Sequence, residues 1–268
     1  MEYITLNNGK QMPVIGTGTN TYGKVDGDYN GELNGDFSEL ENAIDEGYRL
    51  VDTAISYRNE AGVGKTTAQS GVPREELFLT TKIPTDDEYV GDADAVRRTI
   101  DQSLENFETD YLDLYLIHHP LKDKEQVKMV WEVLEDYVKQ GKLKNIGVSN
   151  FTKEMIEDMK EHAEIMPAVN QIQINLKEKN EELISYLQEE NITPMAWGPM
   201  KATDEQKQEL DRIGENYGKE WSQTLLRYQI QQGIVVIPKS HNPKNQALNL
   251  DVFNFDLNKE DMLRISDL

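Results

Sequence analysis

Four side chains that could polarise and protonate a carbonyl group each lie in or after a strand-like stretch of this sequence. Asp52 and Tyr57 occur in the string VDTAISY, Lys82 ends the string LTTK, and His118 ends the string LYLIH. A free phenol has a pKa near ~10, and a neighbouring ammonium group held by a carboxylate lowers that pKa. An imidazole beside the phenol can orient a carbonyl oxygen, while a cofactor delivers hydride to the carbon. These residue types therefore predict carbonyl reduction with Tyr57 as the proton donor.

Each of the four residues has a more ordinary explanation when it is considered alone. Asp52 could cap a turn, and Lys82 could be a solvated lysine. Tyr57 could be a loop aromatic, and His118 could be a core histidine bonded to the backbone. Their joint position at the ends of consecutive strands favours a catalytic site over four coincidences.

Strand-like apolar runs alternate with amphipathic helical patterns along the chain. We predict strands over 14–17, 49–52, 77–81, 113–118, 143–147, 168–173, 192–196 and 234–237. We predict helices over 37–46, 60–70, 93–107, 126–140, 152–162, 180–190, 205–217 and 243–249. Eight alternations favour an α/β fold, a (β/α)8 TIM barrel that occupies residues 1–268 as a single domain.

Four segments lie outside this alternation. Residues 3–12 contain Asn8-Gly9 between alternating residues, which predicts an N-terminal β-hairpin over one end of the barrel. Residues 22–36 are polar and rich in glycine, which is typical of a long loop after the first strand. A further helix is predicted over 219–232, and the tail 258–268 is predicted to be a helix that packs on the barrel.

The carboxyl ends of the later strands carry amide, aromatic and cationic groups. Ser149 and Asn150 follow the fifth strand, and Gln171 lies at the end of the sixth; their alternative role is to cap the next helix. Trp197 follows the seventh strand and offers a face for stacking on a flat ring. Lys239 follows the eighth strand near a helix start, a position suited to phosphate. These groups match the parts of a nicotinamide dinucleotide.

The strings DTAISY, LIHHP, GVSNF, NQ and IPKS, with a third strand that ends in lysine, together resemble the aldo-keto reductase family from about residue 4 to 255. The likeness is to bacterial members with a short carboxyl-terminal loop, similar to 2,5-diketo-gluconate reductases. The resemblance implies a barrel that reduces aldehydes and ketones with NADPH. It implies Tyr57 as the proton donor, tuned by Lys82 and Asp52, and His118 as the residue that orients the carbonyl.

The same resemblance implies a cofactor site. Ser149, Asn150 and Gln171 would hold the carboxamide, and Trp197 would stack on the nicotinamide. The complete set that it implies for NADP is Thr19, Asn20, Ser149, Asn150, Gln171, Trp197, Gly198, Pro199, Met200, Lys201, Pro238, Lys239, Ser240, His241, Asn245 and Asn249. Lys239 and Ser240 would take the 2′-phosphate, and Asn249 would lie by the adenine.

The sequence departs from the family pattern at four places. Asn245 stands where arginine is frequent, so we expect NADP to be preferred over NAD by a smaller margin. Asn175-Leu176 replaces a usual His-Pro, and the loop 198–204 is short. The long carboxyl-terminal substrate loop of many members is missing after Phe255, which predicts an open and permissive pocket.

The composition of the chain excludes several classes of partner and site. The net charge of −21 argues against nucleic acids and anionic membranes as partners, and it is compatible with either an ordinary solvated surface or a high-salt environment. The absence of cysteine excludes disulfides and thiolate metal sites. No signal sequence or membrane-length apolar run is visible, so we expect a cytoplasmic monomer that acts on small carbonyl compounds and needs no metal.

Two other functions are left open by the residues themselves. A barrel could bind NADP in a regulatory or structural role, although such a role does not require Tyr57 and Lys82 together. His118-His119 could indicate a metal-dependent barrel hydrolase, although His162 and His241 are the only other histidines. The string GVGKT at 62–66 resembles part of a phosphate-binding loop, but Asn59 occupies its first glycine position.

Overall fold

Ten strands form two sheets in the computed structural model, which describes all residues from 1 to 268. They are β1 Tyr3–Thr5, β2 Gln11–Pro13, β3 Gly16–Gly18, β4 Leu50–Asp52, β5 Phe78–Ile83, β6 Leu114–Ile117, β7 Ile146–Ser149, β8 Val169–Gln173, β9 Thr193–Trp197 and β10 Val235–Val236. β3 to β10 lie in chain order, and each is parallel to the next. A parallel bridge between Ile15 and Val236 joins the last strand to the first. The predicted (β/α)8 barrel is confirmed.

The predicted N-terminal hairpin is also present. β1 and β2 pair antiparallel, and Gly9 between them has a φ of +83°, a conformation that glycine adopts without steric cost. Leu6 and Met12 are buried in one apolar cluster with Leu50 and Leu114, the first residues of two barrel strands. The hairpin therefore covers the amino-terminal end of the barrel and leaves the carboxyl-terminal end open.

Eleven α-helices surround or extend the barrel. They are α1 Ser38–Glu46, α2 Glu60–Gln69, α3 Asp87–Val90, α4 Ala93–Asn106, α5 Lys124–Lys139, α6 Lys153–Met159, α7 Glu181–Glu189, α8 Asp204–Gly214, α9 Trp221–Gln231, α10 Pro243–Leu250 and α11 Lys259–Ser266. Apolar side chains of α1 to α7 and α9 pack on the strands in a core cluster of 43 buried residues. Apolar side chains of α8, α9 and α11 contribute to a separate cluster of seven buried residues. None of the helices is both long enough and apolar enough to span a bilayer.

Several predicted boundaries were wrong by a few residues. The first strand begins at Gly16 instead of residue 14, and the fifth covers Ile146–Ser149 instead of 143–147. The eighth strand contains only Val235 and Val236 instead of 234–237. Pro238 beyond it has no backbone N–H group to donate to a neighbouring strand. The fifth predicted helix, which is α6 in the structure, stops at Met159 instead of 162. These ends are decided by pairing with neighbouring strands and helices, which local patterns do not contain.

Short elements were missed because they have no hydrophobic period. They are α3 and the 3-10 helices Val25–Gly27, Ile55–Tyr57, Arg74–Glu76 and Glu215–Tyr217. The helix Ile55–Tyr57 matters for the site, since it ends at Tyr57 and turns that side chain back over the barrel.

The chain end forms α11, as predicted. Ile265 of this helix is fully buried with Leu210 of α8 and Leu225 of α9. The tail therefore packs on the outer helices of the barrel.

Candidate active site

Two strand ends and one 3-10 helix bring three ionisable side chains into contact. Asp52 ends β4, Lys82 lies near the end of β5, and Tyr57 ends the helix Ile55–Tyr57. Lys82 Nζ lies 2.6 Å from Asp52 Oδ1, 2.8 Å from the carbonyl oxygen of Thr53 and 3.4 Å from the Tyr57 hydroxyl. Parallel strands end on one face of a barrel, which is why residues 30 positions apart can form this group.

The ammonium group of Lys82 remains charged although it is fully buried. Burial alone lowers the pKa of a lysine, but the carboxylate of Asp52 and the hydroxyl of Tyr57 outweigh it and raise the pKa of Lys82 above its ordinary value. A positive charge therefore stays beside the Tyr57 oxygen at neutral pH.

The pKa of Tyr57 moves opposite to the sequence-based expectation. Burial raises the pKa of Tyr57 above the ordinary value for a phenol, and the nearby Lys82 ammonium, which lowers it, does not cancel the effect. The expected depression was wrong because the sequence does not show how far the hydroxyl is withdrawn from water. Tyr57 is consequently protonated at neutral pH, which is the state that a proton donor requires.

His118 directly follows β6 and packs against Tyr57. The two rings meet edge to face, with centroids 5.7 Å apart and an interplanar angle of 81°. Burial, with a smaller contribution from the Lys82 charge, lowers the pKa of His118 to about 3. Its Nδ1 atom is buried and has no hydrogen-bond partner within the protein. The imidazole is therefore neutral at physiological pH, and it acts as a hydrogen-bonding group rather than a cation.

Asp52 is also fixed from the opposite side of the barrel. Gln171 of β8 donates its Nε2 amide to Asp52 Oδ2 at 2.8 Å. Both carboxylate oxygens of Asp52 thus have a protein partner, and the amide nitrogen of Gln171 is engaged inside the protein. The same amide nitrogen also contacts Met195 Sδ at 3.2 Å, so only the amide oxygen of Gln171 is left for a carboxamide.

A cleft of about 510 Å³ opens above these residues at the carboxyl-terminal end of the barrel. It is lined by Gly18, Thr19, Asn20, Asp52, Tyr57, His118, His119, Ser149, Asn150, Gln171, Trp197, Gly198, Pro199, Met200, Lys201, Ile237, Pro238 and Lys239. A larger groove of about 880 Å³ lies beside the hairpin at the other end. Its ionisable groups, Glu164 and Glu190, are paired with lysines, so the larger groove has no comparable chemistry.

Trp197 is fixed by a hydrogen bond across the cleft. Its Nε1 donates to Asn150 Oδ1 at 2.9 Å, and the Asn150 amide nitrogen contacts Ser149 Oγ at 3.1 Å. Ser149 Oγ in turn donates to the Gln171 carbonyl oxygen at 2.8 Å. Asn150 has a φ of +60°, in the left-handed region that asparagine tolerates better than most residues. This network holds the indole ring and the amide groups as one unit.

The open part of the cleft is cationic in a strongly acidic protein. Lys201 Nζ lies 5.1 Å from the centroid of the Trp197 ring, and Lys239 Nζ lies 2.8 Å from Thr21 Oγ1. Neither lysine has a carboxylate partner, and the only carboxylate that lines the cleft, Asp52, is neutralised by Lys82. Two free ammonium groups near an aromatic face and several amides fit an anionic nicotinamide dinucleotide.

Comparison with known proteins decides the family. The profile described as "Aldo/keto reductase family" matches residues 14–268. The chain belongs to the aldo/keto reductase family. Glyoxal reductase of Bacillus subtilis is 40% identical over 266 residues, which cover 99% of this chain and 92% of the relative. Methylglyoxal reductase DkgA of Escherichia coli is 33% identical, with the same two coverages. A Bombyx mori aldo-keto reductase in complex with NADP superposes with a TM-score of 0.88 at 31% identity and covers 99% of this chain and 92% of its own.

As an aldo/keto reductase, the protein is an oxidoreductase of a family that reduces carbonyl compounds with NADP(H). The resemblance that the sequence motifs indicated is confirmed. The family and these relatives, which are named as reductases, do not support the regulatory NADP-binding barrel or the metal-dependent hydrolase.

Four residues expected in the cofactor site of this reductase do not line the cleft. His241 bonds to Thr21 and Glu39, and Ser240 bonds to the backbone of the next turn. Asn245 is exposed on α10, whereas Asn249 is buried. Ser240 ends the IPKS string and the other three residues follow it, and none of the four is among the residues that line the cleft.

Five residues at or near the site were not predicted, and three of them, Gly18, His119 and Ile237, line the cleft. His119 stacks on His118 with ring centroids 4.4 Å apart, and Tyr29 meets Tyr57 edge to face at 6.0 Å. Thr21 is the hydrogen-bond partner of Lys239. His119 could have been found from its adjacency to His118, but Thr21 and Tyr29 lie in loop sequence without a pattern.

Proposed function

We propose that this aldo/keto reductase reduces small aldehydes and activated ketones, dicarbonyls foremost, with NADPH, and that Tyr57 protonates the carbonyl oxygen. The observation that carries the proposal is the position of the Lys82 ammonium, 2.6 Å from Asp52 and 3.4 Å from the Tyr57 hydroxyl. Dicarbonyls are supported by the names of two relatives, a glyoxal reductase and a methylglyoxal reductase.

The catalytic roles follow from the charge states of the four residues. The neutral His118 imidazole donates a hydrogen bond that orients the carbonyl oxygen beside the Tyr57 hydroxyl. Tyr57 then gives its proton to that oxygen, and the phenolate that forms is stabilised by the adjacent Lys82 charge. Asp52 keeps Lys82 in place. NADPH, when bound, supplies the hydride for the carbonyl carbon. Proton uptake from water restores Tyr57, and the reverse reaction uses the phenolate as a base.

The cofactor is proposed to be held by cleft residues from five strand ends. Ser149, Asn150 and the Gln171 amide oxygen would bind the carboxamide, and Trp197 would stack on the nicotinamide. Lys201 and Lys239 would bind the phosphates, with Lys239 at the 2′-phosphate. The remaining proposed contacts are Thr19, Asn20, Gly198, Pro199, Met200 and Pro238. NADH would be accepted, but more weakly, because it lacks the phosphate.

The substrate side of the pocket is proposed to be formed by the loop 22–36. Tyr29 stands edge-on to Tyr57, and its carbonyl oxygen accepts hydrogen bonds from Lys24 Nζ at 2.5 Å and Arg58 Nη2 at 3.1 Å. Lys24 is only 3% exposed, so the loop is fastened by a buried cation. A single aromatic wall with few other apolar contacts favours small substrates and weak discrimination among them.

The proton-donor role is tested by Tyr57→Phe. NADPH oxidation with glyoxal, methylglyoxal and simple aldehydes should fall at least ~10²-fold, the usual scale of general acid catalysis, while NADPH still binds in a fluorescence titration. The matched control is Tyr29→Phe, which removes a neighbouring hydroxyl that does not contact Lys82. Turnover near wild type in Tyr57→Phe would refute the assignment.

We also propose a cellular location, an oligomeric state and a domain organisation for the enzyme. A cytoplasmic location is consistent with the need for NADPH, which is an intracellular reductant. A monomeric state is supported by the scarcity of exposed large apolar side chains, which are Met1, Tyr3, Val25, Tyr29, Leu33 and Leu263. We further propose that residues 1–268 unfold as one domain. Light scattering after size exclusion and calorimetry would test the last two points, and a stable dimer or two transitions would contradict them.

A further inference from the structure

A chain of four side chains leads away from the cleft behind Lys239. Lys239 Nζ lies 2.8 Å from Thr21 Oγ1, and Thr21 Oγ1 lies 2.8 Å from His241 Nε2. His241 Nδ1 then lies 2.8 Å from Glu39 Oε1. The four residues come from the loop after β3, from α1 and from the loop after β10. The cleft lysine is thereby connected to three segments of the fold.

The hydrogen positions along this chain follow from the chemistry of its members. An ammonium group can only donate, so Lys239 donates to the oxygen of Thr21. The carboxylate of Glu39 can only accept, so Nδ1 of His241 carries a proton and donates it to Glu39. Thr21 Oγ1 has one hydrogen and a second lone pair, so it can bond to Nε2 of His241 in either direction. Every member of the chain has a hydrogen-bond partner in both cases.

The chain orients Lys239 without cancelling its charge. Thr21 is neutral, and it occupies only one of the three N–H donors of Lys239. Glu39, the nearest carboxylate in this chain, is separated from Lys239 by a hydroxyl and an imidazole. A direct ion pair between Lys239 and Glu39 would have neutralised the positive charge of Lys239. The arrangement leaves two ammonium hydrogens and the full positive charge available to an anion in the cleft.

We propose that Thr21 and His241 are positioning residues that hold Lys239 for the 2′-phosphate of NADP(H) and so contribute to the preference for NADP(H) over NAD(H). This inference rests on the proposed function, in which Lys239 binds that phosphate. It gives His241 a positioning role through Thr21 that does not require the direct cofactor contact expected from the sequence.

The expected size of the effect comes from the freedom of the lysine side chain. Lysine has more rotamers to lose on binding than most residues, and prior fixation removes part of that loss. Immobilising one such side chain changes affinity by about three- to tenfold. Removal of the Thr21 hydroxyl should therefore weaken phosphate binding by this factor and leave binding of an unphosphorylated ribose unchanged.

The test uses two nucleotides without nicotinamide. Adenosine 2′,5′-bisphosphate carries the 2′-phosphate, and adenosine 5′-monophosphate, which lacks it, is the comparison ligand. Both are titrated calorimetrically into wild type, Thr21→Val, Thr21→Ser, His241→Phe, Lys239→Met and the double variant Thr21→Val/Lys239→Met. Thr21→Val keeps the branched shape, and His241→Phe keeps the ring that meets Tyr22 edge to face at 5.4 Å. Thermal melting of each variant checks that the fold is retained.

The expected result is selective. Thr21→Val and His241→Phe should bind the bisphosphate about three- to tenfold more weakly, and Thr21→Ser should restore binding. In the Lys239→Met background, Thr21→Val should have no further effect. Unchanged or tighter binding in Thr21→Val, equal losses for both nucleotides, or full additivity with Lys239→Met would overturn the positioning role. If Lys239→Met alone binds the bisphosphate normally, the failure lies in the proposed phosphate site and not in the hydrogen-bond chain.

Discussion

Lys82 and Asp52 form an ion pair in which both side chains are almost completely buried. The atoms Nζ and Oδ1 are 2.6 Å apart, and the side chains are 0% and 1% exposed. Desolvation of two charges costs about as much as their attraction returns, so such a pair is poor evidence of a stabilising role. Its position beside Tyr57 gives it a chemical one. The pair places the ammonium group of Lys82 3.4 Å from the Tyr57 hydroxyl, where the proposed mechanism forms a phenolate.

Replacement of one member of this pair should lower the free energy of unfolding far more than replacement of both. Lys82→Met leaves the Asp52 carboxylate buried and unpaired, which should lower the free energy of unfolding by about 3–5 kcal/mol. The double variant Asp52→Leu/Lys82→Met should lose less than Lys82→Met alone. Urea unfolding followed by circular dichroism measures both. Lys139→Met, which breaks the exposed pair with Glu164, is the control and should cost under ~1 kcal/mol. Additive losses in the double variant would contradict this account.

The stability of the enzyme should contain a pH dependence that comes from His118. The pKa of His118 is about 3 in the folded protein and near ~6.5 in an unfolded chain, so the unfolded chain takes up the proton first as the pH falls. This contribution to stability is complete above about pH 7 and is lost progressively between about pH 6.5 and 3. When the pH is lowered from about 7 to about 5, the free energy of unfolding should therefore fall by about 1–2 kcal/mol less in His118→Gln than in wild type.

Urea unfolding at the two pH values measures the difference between wild type and His118→Gln. His162→Gln is the control, because it makes the same substitution at a histidine outside the cleft. Parallel curves for wild type and His118→Gln would show that His118 is not buried as a neutral imidazole.

Cofactor preference should depend on Lys239. A charge-assisted contact with a phosphate contributes about 1.5–3 kcal/mol, which corresponds to roughly 10- to 100-fold preference for NADPH over NADH. Asn245, in place of a second cation, should keep the value near the lower end. Lys239→Met should narrow the ratio of kcat/KM values, chiefly through NADPH. Lys244→Met is a matched control that removes an exposed lysine on α10 outside the cleft. A wild type that already prefers NADH would contradict the phosphate site.

The tail 258–268 should contribute to stability, whereas the loop 22–36 should contribute to substrate selection. Ile265→Ala removes a fully buried side chain of α11, so it should lower the free energy of unfolding by about 2–4 kcal/mol and leave the ranking of substrates unchanged. Tyr29→Ala removes a 41% exposed ring beside Tyr57, so it should change KM values among carbonyl substrates with a small loss of stability. Unfolding curves and a substrate panel measure both. A changed substrate ranking in Ile265→Ala would show that the tail forms a wall of the pocket.

The sequence by itself determined the barrel and the group of side chains that we propose to be catalytic. Strands and helices are local patterns, and parallel strands joined by helices must end on one face of a closed sheet. Asp52, Lys82 and His118 each end or follow such a strand, so their meeting was predictable without any contact being known. The hairpin was equally predictable, since Gly9 supplies the turn within one short segment.

Only the tertiary structure decided the finer properties of the site. The pKa of Tyr57 rises because burial outweighs a neighbouring cation, and burial is a sum over many segments. Gln171 bonds to Asp52 from 119 residues away, and Lys239 bonds to Thr21 from 218 residues away. Such contacts join loops and strand ends that share no period or motif. Their partners are selected by distance in the folded barrel, which separation along the chain does not encode.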